Sequence, residues 1–177
     1  MRMYLIIILI MLLGSVDAAK ITVGHNHEDY QLIQQAINHA DEGDVIEVHS
    51  GRYLERVFIT KAITVNGIDT GKGLPVVDAG GSGSAITLMA NGTILKGFKL
   101  TNSGRCGCGN AGISVKSGNF TIVDNIIYSN KYGIYIKDGN MKNTFISNRL
   151  IENNITSYDS GGNYWLENAE NADGISR

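Results

Sequence analysis

The sequence predicts an all-β fold, a parallel β-solenoid, from two interleaved repeats and a composition rich in turn-forming residues. Three ten-residue segments align without gaps and each ends in asparagine, at 93–102, 121–130 and 144–153. A four-residue apolar unit recurs at 62–65, 85–88, 112–115 and 133–136, in steps of 23, 27 and 21 residues. Steps this short hold strands and turns but no helix, which is typical of stacked coils. The 22 glycines favour tight turns, and the single proline leaves strand amides free to pair.

The N-terminus predicts export. Residues 1–18 resemble a secretory signal peptide, because Arg2 precedes an apolar run at 4–13 and small residues follow. An uncleaved membrane anchor is the alternative, but a bilayer span needs roughly 20 apolar residues. We therefore expect a protein of the cell surface, the periplasm or the extracellular medium, with no transmembrane span after cleavage. The net charge of −2 gives no reason to expect a nucleic-acid partner.

The remaining elements follow in order from their periodicity. A strand at 21–23 precedes a helix predicted at 29–41, with Asp29 as its N-cap and Gly43 as its stop. This amphipathic helix is expected to cover the exposed apolar end of the stack. Later strands are predicted at 44–48, 57–59, 62–65, 76–78, 85–89, 93–100, 113–115, 120–128, 133–136 and 144–151. The expected segments are an N-terminal strand and capping helix at 19–55, β-helix coils at 56–157 and a C-terminal tail at 158–177.

Stacked coils place equivalent residues above one another at about 4.8 Å. The aligned segments therefore predict a ladder of hydrogen-bonded amides at Asn102, Asn130 and Asn153. They also predict two apolar columns, and three copies do not decide which column faces inward. The columns are Ile94 with Ile122 and Phe145, and Leu95 with Val123 and Ile146.

Two stretches carry a family resemblance. The first is Tyr30-x-x-Ile33-Gln34-x-Ala36-Ile37-x-x-Ala40-x-x-Gly43-Asp44-x-Ile46-x-Val48-x-x-Gly51-x-Tyr53-x-Glu55. It resembles the N-terminal cap of right-handed parallel β-helix proteins of the pectin-lyase-like superfamily. The second is Gly162-Asn163-Tyr164-Trp165, which with the Asn-rich coils is similar to the NosD-like branch of copper-binding, carbohydrate-binding and sugar-hydrolysing proteins. The resemblance implies a single-stranded right-handed parallel β-helix with an N-terminal capping helix.

The resemblance also implies an enzyme as one alternative, since polysaccharide-cleaving relatives gather acidic residues on one face. The acidic residues of this sequence are scattered over predicted turns and mostly differ between repeats. Turns favour Asp for local hydrogen bonding, so the catalytic residues stay unknown. The acids considered are Asp69, Asp78, Asp124, Asp138, Glu152 and Asp159.

Tyrosines are concentrated in the later coils, where Tyr128, Tyr132 and Tyr135 are the candidate carbohydrate-binding residues. Aromatic faces stack on sugar rings, and the side of a solenoid forms a long shallow groove. The alternative is ordinary packing, because aromatic residues favour strands.

Cys106 and Cys108 lie in the longest predicted insertion between coils. Three alternatives remain open: a local disulfide, a thiolate pair for a soft metal such as copper(I), or links to another chain. Two sulfurs alone make an incomplete metal site, and the histidines lie at the other end of the chain, at His25, His27, His39 and His49. No cofactor is expected, with copper or calcium as the alternatives.

Three N-glycosylation acceptor sequences begin at Asn91, Asn119 and Asn154. The first two are expected at the same place in the repeat, before a strand. The alternative is chance, because turns favour Asn and strands favour Thr.

The sequence as a whole favours an exported, non-enzymatic β-helix module for carbohydrate binding or cell-envelope structure. The expected partner is a polysaccharide or envelope glycan, and the exposed edge of a last coil adds end-to-end self-association. The alternatives are a polysaccharide lyase or glycoside hydrolase, and a NosD-like accessory protein in copper handling.

Overall fold

The computed structural model of the chain describes residues 18–106 and 108–169 in full and the main chain of Glu170. Apart from Ala18, the predicted signal peptide lies outside the described residues, as does the end of the predicted tail at 171–177. The described part of the chain holds no helix long and apolar enough to span a membrane. Its elements are β1 (Lys20–Val23), α1 (Ile33–His39), β2 (Val45–His49), β3 (Arg52–Tyr53), β4 (Val57–Ile59), β5 (Thr64–Ile68), β6 (Val76–Asp78), β7 (Ile86–Leu88), β8 (Ile94–Lys96), β9 (Lys99–Thr101), β10 (Ala111–Val115), β11 (Thr121–Val123), β12 (Ile126–Tyr128), β13 (Tyr132–Ile136), β14 (Thr144–Ile146), β15 (Arg149–Ile151), β16 (Ile155–Tyr158), β17 (Tyr164–Leu166) and β18 (Ala169–Glu170).

The strands form three parallel sheets that wind as about six coils, which confirms the predicted β-helix. Sheet A has the order β1-β2-β5-β8-β11-β14-β17. Sheet B runs β3-β6-β9-β12-β15-β18, and sheet C runs β4-β7-β10-β13-β16. The coils begin with β2 and continue through β18, so the stack extends beyond the predicted 56–157 at both ends. Each strand pairs with its equivalent one coil away, so the stack satisfies the strand amides and carbonyls between coils.

Three long predicted strands are each divided into two by a sharp corner between sheets A and B. The corner residues have left-handed backbone conformations: φ is 77° at Gly97, 54° at Asp124 and 52° at Ser147. One residue in this conformation turns the chain from one sheet into the next without a loop. Apolar residues lie close to the corner on both sides, and no loop sequence marks it, which is why the sequence pattern alone predicts unbroken strands.

The interior column of sheet A differs by one residue from the predicted register. Leu95 pairs with Ile122, which pairs with Phe145, and all three are fully buried. Ile94 is instead 37% exposed and pairs with Thr121. The sequence alignment matches asparagines that occupy different positions in their coils, and this shifts the first segment by one residue.

The helix α1 covers the N-terminal end of the stack, and Ile33, Ala36 and Ile37 are buried in the common core. It is shorter than predicted, and Asp29 is not its N-cap. The Asp29 carboxylate accepts hydrogen bonds from the Thr22 amide and hydroxyl instead. The first helical amides donate to Glu55, with Ile33 N to Oε1 at 3.0 Å and Gln34 N to Oε2 at 3.1 Å. The helix start is therefore capped by a carboxylate from the first coil, which a local sequence pattern does not reveal.

Candidate functional site

A side-chain amide ladder forms at the corner between sheets B and C, but with a different membership from the predicted one. The amides of Asn130 and Asn153 stack, with Asn130 Nδ2 donating to Asn153 Oδ1 at 3.1 Å. The next position is Ser103, whose backbone N–H donates to Asn130 Oδ1 at 3.0 Å. Asn102 lies one position earlier, with φ of 59°, and its amide donates to Asp78. The prediction of Asn102 in this ladder is therefore wrong.

Two further ladders were not predicted. One joins Asn125, Asn148 and Asn168 at the corner between sheets A and B, through Nδ2 to Oδ1 bonds of 3.0 Å. The other joins Asn143 to Asn163 at the entry to sheet A, with a bond of 2.8 Å. The sequence does contain a signal for these ladders, because an asparagine follows the left-handed corner residue in each of these later coils. It is hidden because coil three carries Phe98 where later coils carry asparagine.

The sheet C face of the later coils gathers Tyr132, Tyr135 and Tyr158, which we call the tyrosine cluster. The rings of Tyr135 and Tyr158 stack with centroids 5.0 Å apart and planes within 14°. Tyr132 meets Tyr135 edge to face at 5.3 Å. Parallel pairing explains the stack, because Tyr135 of β13 lies directly opposite Tyr158 of β16. The structure thus brings two of the predicted tyrosines together and adds Tyr158.

The faces of these rings are not equally open. The Lys116 ammonium lies 5.4 Å from the centroid of the Tyr135 ring, and Tyr158 stacks on that ring. Tyr158 is 42% exposed, and among the described residues no second ring stacks on it. One face of the Tyr158 ring is therefore open, while Tyr135 stacks on the other face.

Charged groups surround the tyrosine cluster. Burial, reinforced by the Lys137 charge, lowers the pKa of Lys116. The Asp138 charge raises the pKa of Tyr158. The Lys131 ammonium lies 5.9 Å from the centroid of the Tyr132 ring. The cluster therefore combines apolar ring surface with donors and acceptors, which is the chemistry that polyhydroxylated ligands require.

The structure places Tyr128 apart from this cluster. Tyr128 ends β12 in sheet B, where it pairs with Thr101 and Ile151. No ring contact joins it to Tyr132 or Tyr135 among the described aromatic pairs. The sequence grouped it with the other two because a corner of only three residues, 129–131, separates β12 from β13.

Several of the candidate acidic side chains accept hydrogen bonds that stabilise the local structure. The Asp78 side chain is buried and accepts from Gly80 N and Asn102 Nδ2, both at 2.8 Å, and from Arg52. Burial raises the pKa of Asp78, but these hydrogen bonds outweigh it and hold the pKa below its ordinary value. Asp69 accepts from the Gly71 and Gly73 amides of its own turn. These contacts give the two carboxylates structural roles.

Asp159 serves the last coil in the same way. Its carboxylate accepts from Trp165 Nε1 at 2.9 Å and from Asn163 Nδ2 at 2.7 Å. Trp165 stacks on Phe145 with centroids 4.2 Å apart, so the Asp159 contacts hold the indole against the interior column. Asp159 therefore has a structural role in the last coil, where it holds Trp165 and Asn163.

Cys106 and Cys108 are joined by a disulfide in the insertion between β9 and β10. A copper(I) site at these sulfurs needs reduced thiolates, so the metal prediction applies to the reduced chain and stays a prediction. Among the described residues, no group of three or more His, Cys, Asp or Glu side chains is arranged to hold a metal ion. His49 instead hydrogen bonds through Nδ1 to Glu28 Oε1 at 2.9 Å, and His25 stacks on Tyr53.

All three acceptor asparagines are exposed. Asn91 and Asn119 are not equivalent in the repeat, because Gly92 lies opposite Asn119 and donates its N–H to the Asn119 carbonyl. The Thr93 hydroxyl of the first sequon is buried and bonded to the Lys61 and Ala90 carbonyls. Its threonine therefore has a structural role, and use of the three sequons stays a prediction.

Comparisons with known proteins agree with this architecture. A family model described as a right handed beta helix region matches residues 18–170. A pectin methylesterase structure in complex with hexasaccharide VII superposes with a TM-score of 0.55 at 14% identity. That match covers 86% of this chain and 66% of the enzyme's own chain. A pectin methylesterase from Aspergillus niger gives a TM-score of 0.47 at 13% identity, covering 90% of this chain and 88% of the enzyme. A search of curated protein sequences gives no match. At these identities the structural likeness concerns the fold alone.

Proposed function

Since the chain belongs to the right-handed β-helix family, we propose that it is an exported, non-enzymatic module that binds carbohydrate at the tyrosine cluster. The observation that carries the proposal is the open ring of Tyr158, held by a stack of 5.0 Å on Tyr135. An exposed aromatic ring on a rigid sheet offers a preformed stacking surface, which costs little conformational entropy when a ligand binds.

The polar groups around the rings support the same function. Lys116, Lys131 and Asp138 supply donors and acceptors beside the aromatic surface. Sugars present both apolar faces and hydroxyl groups, so a site for them needs both kinds of surface. The structural roles of Asp78 and Asp159 favour binding over catalysis, because those carboxylates already accept several hydrogen bonds.

Export is supported by the disulfide between Cys106 and Cys108, since disulfides persist in oxidising compartments. The predicted signal peptide supports it independently. The finer assignment to the NosD-like branch rests on the sequence resemblance, and a copper-handling role would need the cysteines in their reduced form. The disulfide therefore favours carbohydrate binding over copper handling as the proposal to test first.

The test is a binding screen of the purified chain from Ala19 against a panel of polysaccharides, with melting temperature as the first readout. A ligand that binds only the folded state raises the melting temperature by mass action. For a polysaccharide that binds, the Tyr158→Ala variant should lose at least about tenfold in affinity, because truncating an aromatic residue that anchors a ligand costs about 2 kcal/mol or more.

Tyr164→Ala is the matched control, because Tyr164 is also an exposed tyrosine but lies on sheet A. Its affinity should equal that of the wild type. Equal loss in both variants, or no loss in Tyr158→Ala, would contradict the assignment to this cluster. Release of shortened or unsaturated products from the bound polysaccharide would replace the binding module with the lyase or hydrolase alternative.

A further inference from the structure

A small polar pocket lies at the corner between sheets B and C, beside the tyrosine cluster. It crosses three coils, at the places where β9, β12 and β15 end. Its walls are Asn102, Ser103, Arg105, Ser129, Asn130, Lys131 and Asn154. This lining contains two cationic side chains and no carboxylate.

Much of the pocket floor is already satisfied by internal hydrogen bonds. The Asn130 side chain belongs to the amide ladder, and the Ser103 hydroxyl accepts from the Lys131 amide at 2.9 Å. The Asn102 amide donates to Asp78. The groups left to meet a ligand are the Arg105 guanidinium, the Lys131 ammonium and the polar tips of Ser129 and Asn154. All four can donate hydrogen bonds.

Neither cation of the pocket is neutralised by a partner in the described part of the chain. The ion pairs there involve Lys20, His49 and Arg52, and none involves Arg105 or Lys131. Asp78, the carboxylate nearest in the hydrogen-bond network, is already bound to Arg52 and Asn102. Two unpaired cations among neutral donors favour an anion.

Lys131 links the pocket to the tyrosine cluster. Lys131 lines the pocket and also lies 5.9 Å from the centroid of the Tyr132 ring. Tyr132 in turn meets Tyr135 edge to face. A strand advances about 3.3 Å per residue, so the distance along β13 from Tyr132 to Tyr135 is about 10 Å. A chain-like ligand on the rings can therefore reach the pocket.

We propose that this pocket binds the acidic substituent of a glycan, a carboxylate or a sulfate ester, through Arg105 and Lys131 while the glycan chain lies on the tyrosine cluster. The inference rests on the proposed carbohydrate-binding function and adds its selectivity: acidic glycans are bound more tightly than neutral ones. A carboxylate and a sulfate ester each present at least two anionic oxygens, so either can accept paired N–H hydrogen bonds from a guanidinium.

The experiment compares the wild type with an Arg105→Gln/Lys131→Gln double variant, both produced without glycosylation because Asn154 lines the pocket. Three ligand arms are titrated: a polyuronate, a sulfated polysaccharide and a neutral polysaccharide. The double variant should lose at least about tenfold in affinity for an acidic arm and keep its affinity for the neutral arm. The wild-type affinity for the acidic arm should also fall with salt more steeply than that of the variant. The acidic arm that responds identifies the substituent.

Lys96→Gln/Arg149→Gln is the matched control, since both residues are exposed and the charge change is the same. A similar loss in this control would show a general charge effect and overturn the pocket. Equal loss for neutral and acidic arms, or no loss for either acidic arm, would also overturn it.

If no polysaccharide binds the wild type, the proposed function fails by itself. Inorganic sulfate titrated by NMR then tests the pocket alone, through shifts at Arg105 and Lys131 that Arg105→Gln/Lys131→Gln lacks; absence of such shifts would overturn the site.

Discussion

The two halves of the β-helix close their corners by different means. In the first two coils, the contacts that stabilise the turns differ from one another. Glu55 caps the helix, Asp78 binds Arg52 and Asn102, and Glu28 binds His49. In coils four to six, the corners share one kind of contact, an asparagine side chain that hydrogen bonds along the stack. The N-terminal half therefore depends on single pairs of residues, and the C-terminal half on continuous ladders.

The difference explains where the sequence looks repetitive. A ladder requires the same residue at the same place in every coil, because each amide donates to the next. A contact between two individual side chains needs only one complementary pair, so the residue types can differ from turn to turn. The C-terminal half is thus constrained inside, while its outer face is free to carry the tyrosine cluster and the pocket beside it.

The largest effect is expected from breaking the buried ladder between sheets A and B. Asn148 is fully buried, its Oδ1 accepts from Asn125 N at 3.0 Å and its Nδ2 donates to Ile122 O at 2.9 Å. Asn148→Ala leaves these groups buried without partners and should lower the free energy of unfolding by about 3–5 kcal/mol. Urea denaturation followed by circular dichroism measures the change. The exposed Asn38 of α1 gives the control, Asn38→Ala, for which a loss as large as that of Asn148→Ala would contradict the ladder argument.

A smaller effect is expected from changing Asp78, which binds Arg52 and Asn102 in the N-terminal half. Asp78→Asn removes a buried charge that faces Arg52, and should cost about 2–3 kcal/mol at neutral pH. The pKa of Asp78 lies below its ordinary value of 3.8, so its stabilisation is present above that pH and is lost as the pH falls through the lower, folded-state pKa. The difference between the two proteins should therefore shrink below about pH 4. Asp124→Asn, at an exposed corner where Asn is tolerated, should be nearly neutral, and a pH-independent difference for Asp78→Asn would disprove the role of its charge.

The smallest effect is expected at the partly buried pair of Glu28 and His49. The hydrogen bond from His49, with the Asn26 amide, lowers the pKa of Glu28 from 4.5 to about 2. The stabilisation is therefore present above pH 4.5 and is lost as the pH falls through about 2. Glu28→Gln should lower the melting temperature slightly at neutral pH, with a gap that closes towards pH 2. An NMR titration of the Glu28 carboxyl checks the value directly, and a midpoint near 4.5 would show that the His49 contact is absent in solution.

Much of the fold could be predicted from residues that repeat. The bounds of β4 and β6 agree with the prediction, and the helix was expected in the right region. Strands β3, β16, β17 and β18 were missed, since each holds only two to four residues, too few to show a clear apolar alternation. Their identity follows from pairing with the coil above, which is a tertiary contact.

The candidate site was less predictable than the fold. Tyr132 and Tyr135 could be proposed from composition, but Tyr158 joins them only because parallel pairing sets it opposite Tyr135. No pattern in the sequence indicates that Arg105 and Lys131 lie close together, because they are 26 residues apart. They line one pocket because the insertion after β9 returns beside the next coil.

The sequence by itself determined that the chain stacks strands, because each coil leaves the same amides and apolar side chains exposed until another covers them. Tertiary structure decided the register and the surface. Whether Asn102 or Ser103 lies opposite Asn130 depends on the register in which coil three pairs with coil four, where Leu95 lies opposite Ile122 and Leu100 opposite Ile127. The register has to leave few buried polar groups without hydrogen-bond partners in the whole stack. A single segment of sequence does not contain that information, because the partners lie in neighbouring coils.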